Sequence, residues 1–129
     1  MHASPHKPKP WYYVTSKPGV ELNFKSFESR ICFVEHTHKP VIIEQTPDGK
    51  VKDYVSDTWN IKKENRYINN VGSLGQSRDV NPDAAFIVYD SKKRTVGVHR
   101  FKCDLSSTQH KIRENGLPLD SVERLAQGR

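Results

Sequence analysis

Several of the common covalent and metal chemistries lack their residues in this sequence, and each shortage narrows the field. There are two cysteines, Cys32 and Cys103, too few and too far apart for a disulfide framework or a zinc knuckle. Both fall in predicted strands and read as buried free thiols. A single Cys32–Cys103 bridge would require an exported protein, yet the opening Met-His-Ala-Ser-Pro-His-Lys-Pro-Lys-Pro has no apolar stretch to act as an export signal. The longest apolar run, residues 84–89, is far short of a membrane span. Cytoplasm or nucleus, without integral membrane association, is the expectation. Gly72-Ser73-Leu74-Gly75 lacks the Lys-Ser/Thr pair of a phosphate-binding loop, and no Gly-x-Ser-x-Gly elbow occurs. The carboxylates are dispersed, with no close pair for acid–base work, and no cofactor is expected. Apolar residues are also scarce. Val, Ile, Leu and Phe total 30 of 129 residues, about 23%, and the mean hydropathy is -0.78. The core must therefore be small.

Positive charge is abundant, and it is concentrated. Lys92, Lys93, Arg94, Arg100, Lys102, Lys111 and Arg113 stand against one acid, Asp104, so residues 92–113 carry the whole net charge of +6. A field gathered this way draws in an anionic partner. With Tyr89 and Phe101 nearby, a basic β-ribbon suits the backbone of DNA or RNA. These seven residues form the expected anion-binding ridge. The simpler reading is a solvated hairpin whose lysines discourage edge-to-edge pairing.

The chain length fits one domain. Residues 1–10, with three prolines, read as a flexible basic arm, and residues 11–129 as a single β-rich domain. Trp11 to Val14 predicts a first strand ended at Lys17-Pro18-Gly19, and Arg30 to Glu35 a second. Val41 to Gln45 and Lys50 to Val55 flank Thr46-Pro47-Asp48-Gly49, a strong hairpin signal. A second hairpin runs from Ala84 to Tyr89 and back from Thr95 to Cys103. Between the two, Trp59, Ile61, Ile68 and Val71 suggest a short helix, followed by a long loop around 72–83. Ser106-x-x-Gln109 and Asp120-x-x-Glu123 predict two C-terminal helices, the first stopped at Gly116. The fold class is mainly β with minor α: a small antiparallel sheet or partly open barrel. The expected core comprises Ile31, Phe33, Ile43, Phe86, Val88, Val96 and Val98.

One constellation points to metal chemistry. Glu35, His36 and His38 lie close together, and on a strand His36 and His38 would share a face about 7 Å apart. The pair alone supplies two neutral ligands, whereas structural zinc takes four, so solvated surface histidines are the simpler reading and no specific divalent site is expected there. With Tyr89-Asp90-Ser91-Lys92 downstream, the His-x-His pair resembles rolling-circle replication-initiator nucleases. That resemblance implies Tyr89 as the group attacking a DNA phosphate, although the family carries its tyrosine on a helix. The leading expectation is a non-enzymatic binding or assembly protein that presents the ridge to nucleic acid or an acidic protein surface. A protein–protein adaptor or structural subunit comes next, and a metal-dependent nuclease using His36 and His38 third.

Overall fold

A computed structural model describes residues 2–9, 14 and 16–129. Its elements in chain order are α1 (Lys17–Phe24), β1 (Ile31–Val34), β2 (Val41–Gln45), β3 (Val51–Tyr54), β4 (Thr58–Asn60), β5 (Arg66–Asn70), β6 (Ala84–Asp90), β7 (Thr95–Phe101), α2 (Leu105–Glu114) and α3 (Leu119–Gln127). The protein is mostly β, with two small sheets and short helices, and no closed barrel is formed. One sheet has the strand order β1-β5-β2-β3 and the other β4-β7-β6. β1 runs parallel to β5, while the other pairings are antiparallel.

The alternation of side chains along β2 and β5 builds a layered core. Ile43 and Ile68, partners across the ladder, face α1 and pack with Val20, Phe24 and Val34. Ile42 and Tyr67, one residue earlier in each strand, face the second sheet and pack with Ile61 and Val96. β5 is thus buried on both faces, with Tyr67, Ile68, Asn69 and Asn70 all inaccessible. α1 forms where a turn was expected. The Ser16 hydroxyl accepts from Gly19 N–H, and Pro18 sits in the first turn, where its missing N–H costs nothing.

Both hairpins form as the sequence predicts, as do the long loop and the two C-terminal helices. Four expectations are corrected. The helix expected around Trp59 to Val71 is two strands, β4 and β5, because a partner on each side of β5 outweighs its weak local pattern. The expected core is divided and partly wrong. Ile43 and Val96 are buried in separate clusters, Ile31, Phe33 and Val98 are half-buried, and Phe86 and Val88 are exposed. In β6 it is Ala84 and Ala85 that are buried and Ile87 that packs on the core, while Phe86, Val88 and Tyr89 are exposed. Residues 2–9, expected as a free arm, lie against the body. Ala3 and Ser4 are buried, the Glu35 N–H donates to His2 O (2.9 Å), and the His6 N–H donates to Asn23 Oδ1 (2.8 Å). Finally, α2 is capped by Asp104, which accepts from Ser107 N–H, rather than by Ser106. The strand expected at 11–14 lies largely outside the described residues. Cys32 and Cys103 are both free and half-buried, Cys103 just past the end of β7.

Candidate metal-ligand site at the end of the first strand

β1 ends at Val34, and the chain then makes a tight excursion through 35–40 before β2 begins. Two residues of that excursion, His36 (φ 67°) and His38 (φ 58°), have left-handed backbone. For side chains with a Cβ such geometry costs of order 1–3 kcal/mol each, and it persists where neighbouring structure over-determines it, often at functional sites. The determining contacts are present here. The Asn70 side-chain amide donates to Glu35 O, Thr37 N–H donates to Glu35 O (2.8 Å), and Arg78 N–H donates to His38 O (3.2 Å). Strand β5 and the 72–83 loop thus hold the turn from two sides, and a bond within the turn closes it.

The imidazoles are oriented as well. His38 Nδ1 lies 2.7 Å from Gln76 O. A carbonyl only accepts, so Nδ1 carries the proton, and the neutral ring leaves its lone pair on Nε2, the form in which histidine binds metal. His2 Nδ1 lies 2.9 Å from Glu35 Oε2, while its Nε2 lies 3.2 Å from His36 Nδ1. The two rings meet edge to face, with centroids 5.1 Å apart. Two imidazole nitrogens on one tetrahedral zinc, each ~2.0–2.1 Å from it, would stand about 3.3 Å apart. The His2–His36 spacing therefore suits a shared ion as well as a hydrogen bond. Among the described residues no group of three or more His, Cys, Asp or Glu is arranged to hold a metal. The donors fit a metal site in kind, and the His2–His36 pair fits it in spacing.

Beside the turn lies a cleft of about 590 Å³, lined by Glu35, His38, Val71, Leu74, Gln76 and Phe86 among others. A buried carboxylate, Glu44, sits elsewhere, on β2 against Tyr54, Asn65 and Tyr67.

The seven basic residues fall at three places in the fold. Lys92 and Lys93 are exposed at the β6–β7 turn, where their N–H groups donate to Asp90 Oδ1, and Arg94 is there in left-handed backbone. Arg100 forms an ion pair with Asp79 and donates to Asp83 O. It lies six residues along the strand from Arg94, a separation of about 20 Å at the rise of an extended chain. Lys102 is exposed beyond the strand end, and Lys111 and Arg113 are exposed on the last turn of α2, where cations stabilise the helix dipole. Tyr89 sits on β6, opposite Val96 and with its ring 6.1 Å from Phe33. It lacks the helical setting of the replication-initiator tyrosine.

No family model matches this chain. It is similar over its whole length to a metallophosphoesterase from Sphaerobacter thermophilus of solved structure, with a TM-score of 0.85 and 32% identity, covering 54% of that chain. It is also 29% identical over 128 residues to an uncharacterized protein of Methanocaldococcus jannaschii, covering 99% of this chain and 50% of that protein. The chain therefore spans about half the length of each. The likeness to a metallophosphoesterase corrects the expectation of a non-enzymatic nucleic-acid-binding or assembly protein. Of the earlier expectations it favours the metal-dependent one at His36 and His38.

His2 was missed from the sequence because it sits 34 residues from His36 in a proline-rich stretch, and only folding brings the two together. No local signal marks it. Gln76 contributes through its backbone carbonyl, which no side-chain pattern records.

Proposed function

We propose that this chain supplies part of a metal-dependent phosphoester hydrolase, with His2, His36 and His38 donating to its metal site. The observation that carries the reading is the oriented histidine turn, found in a chain that resembles a metallophosphoesterase along its full length. Catalytic metals take three or more protein ligands, and the remaining donors would come from outside this chain's span. When bound, a divalent ion supplies Lewis-acid charge at a phosphoryl oxygen and lowers the pKa of coordinated water. The chain's own contribution is preorganisation. Gln76 O keeps the His38 proton on Nδ1, the Glu35 carboxylate orients His2, and Asn70 fixes the backbone between them. The left-handed backbone at His36 and His38 aims both rings from one short turn.

The test is hydrolysis of bis-(p-nitrophenyl) phosphate by the full-length protein with Mn²⁺ or Zn²⁺, together with metal content by elemental analysis. His38→Ala should lower both bound metal and turnover. The loss in turnover should exceed the ~10- to 100-fold typical of outer-shell substitutions. Wild-type protein that binds metal but cleaves no phosphoester would sink the hydrolase reading. Unchanged metal content in His38→Ala would remove this histidine from the ligand set.

A further inference from the structure

The cleft beside His38 has a composition that the metal site alone does not account for. At one end lie Glu35, His38 and the Gln76 backbone, and the remaining walls are mostly apolar: Val71, Leu74, Ala85, Phe86 and Ile87. Its volume, about 590 Å³, falls within the range of small-molecule pockets, which are mainly apolar with a few fixed polar groups. Two of its large apolar side chains are exposed, Leu74 at 62% and Phe86 at 38%. Phe86 is also held in place, since its ring stacks on His99 at 5.2 Å and 23° and lies 6.1 Å from Phe101. The backbone of the wall is held too. Ala85 N–H donates to Ser73 O (2.8 Å), and Gly75 and Gln76 N–H donate to the Ser73 hydroxyl. Gly72, at φ +84°, lets the loop approach so closely that a Cβ there would lie 2.8 Å from Ala85 Cβ and 2.9 Å from Pro40 Cγ. The cleft is therefore a preformed apolar slot lined at one end by the oriented imidazole of His38.

We infer that this slot receives the alcohol portion of the substrate, so that the enzyme selects phosphoesters whose organic group is flat and apolar, an aryl group above all. The inference rests on the hydrolase reading, which supplies the phosphoryl end. A phosphate held near His38 places its ester substituent against Phe86 and Leu74, where an aryl group buries apolar surface and a methyl group reaches neither wall. Each apolar contact in such a slot is worth about tenfold in discrimination.

The experiment compares phenyl and methyl phosphoesters, with the full-length protein and added Mn²⁺, in wild type, Leu74→Ala and Phe86→Ala. Both side chains are exposed, so both variants should fold, which circular dichroism and a thermal melt will show. The expected result is a KM for the phenyl ester raised about tenfold in each variant, with kcat within about twofold and both parameters for the methyl ester unchanged. Loss of phenyl and methyl turnover in equal proportion, or no change in either, overturns the slot while leaving the hydrolase reading intact. So does a lowered melting temperature with unmoved selectivity, which would mark Leu74 and Phe86 as covered by other protein. Wild-type protein that turns over neither ester with metal fails at the earlier step, and both readings fall together.

Discussion

Glu44 shows how one buried charge is made tolerable. Its side chain is 4% exposed and accepts from Asn65 Nδ2 (2.6 Å), Tyr67 Oη (2.8 Å) and Tyr54 Oη (3.1 Å), with Lys62 Nζ at 3.7 Å. Burial pushes the carboxyl up, but the three hydrogen bonds and Lys62 together outweigh it and leave the group below its usual range. A depressed carboxylate adds stability that is present above the unfolded value, about 4.3, and is lost as pH falls through the folded one. Between pH 6 and pH 3 the melting temperature of the wild type should therefore fall more steeply than that of Glu44→Gln, which has nothing to titrate there. Parallel curves would show that Glu44 contributes no such linkage. Tyr67→Phe leaves the carboxylate short of one buried donor and should cost about 1–3 kcal/mol in urea denaturation.

Among the elements, stability is unequally shared. Ile68, on the central β5, is fully buried between α1 and its sheet neighbours, and Ile68→Ala should cost about 2–5 kcal/mol. From its alternating strand, Phe86→Ala is expected to cost about 3–5 kcal/mol. Its outward position and 38% exposure reduce the expected loss for Phe86→Ala to about 1 kcal/mol. Chemical denaturation of the two variants should separate them clearly, and equal losses would refute the layered core described above. α2 contributes no buried residue, and its link to α3 includes the Gln109 side chain donating to Val122 O (2.7 Å). Hydrogen bonds from Ser106 and Ser107 at its N-terminus hold the capping Asp104 carboxyl at about 2. Amide exchange in α2 should accordingly be much faster than in β5. Protection in α2 matching that of β5 would mean that a partner surface covers this helix.

At the scale of the molecule, the proposed metal site would couple chemistry to stability. A ligand that binds only the folded state stabilises it by about 2.7 kcal/mol at a hundredfold excess over its Kd. Mn²⁺ or Zn²⁺ should thus raise the melting temperature of the full-length wild type by several degrees and leave His38→Ala nearly unmoved. An equal shift in both proteins would place the ion elsewhere. No described helix is long and apolar enough to cross a membrane.

The sequence by itself determined the elements whose signals are local. The Thr46-Pro47-Asp48-Gly49 turn, the loop at 91–94 and the spacing of Leu119, Val122 and Leu125 specify hairpins and a helix from a few adjacent residues. His36 and His38 were visible as a pair for the same reason. Only the tertiary structure decided what surrounds the pair. His2 is brought to His36 across 34 residues, Gln76 offers a carbonyl rather than a side chain, and the left-handed backbone of the turn is imposed by contacts from β5 and the 72–83 loop. The same holds for β5, whose Ile68 reads as part of a short helix until strands on both sides satisfy the backbone of residues 66–70. The basic residues make the same point from the other side. Counting charges along a chain does not show that Arg100 faces Asp79, or that an extended strand spaces its cations some 3.3 Å per residue. Local propensity acts over a turn or two, whereas a metal site is built from groups that only the completed fold makes neighbours.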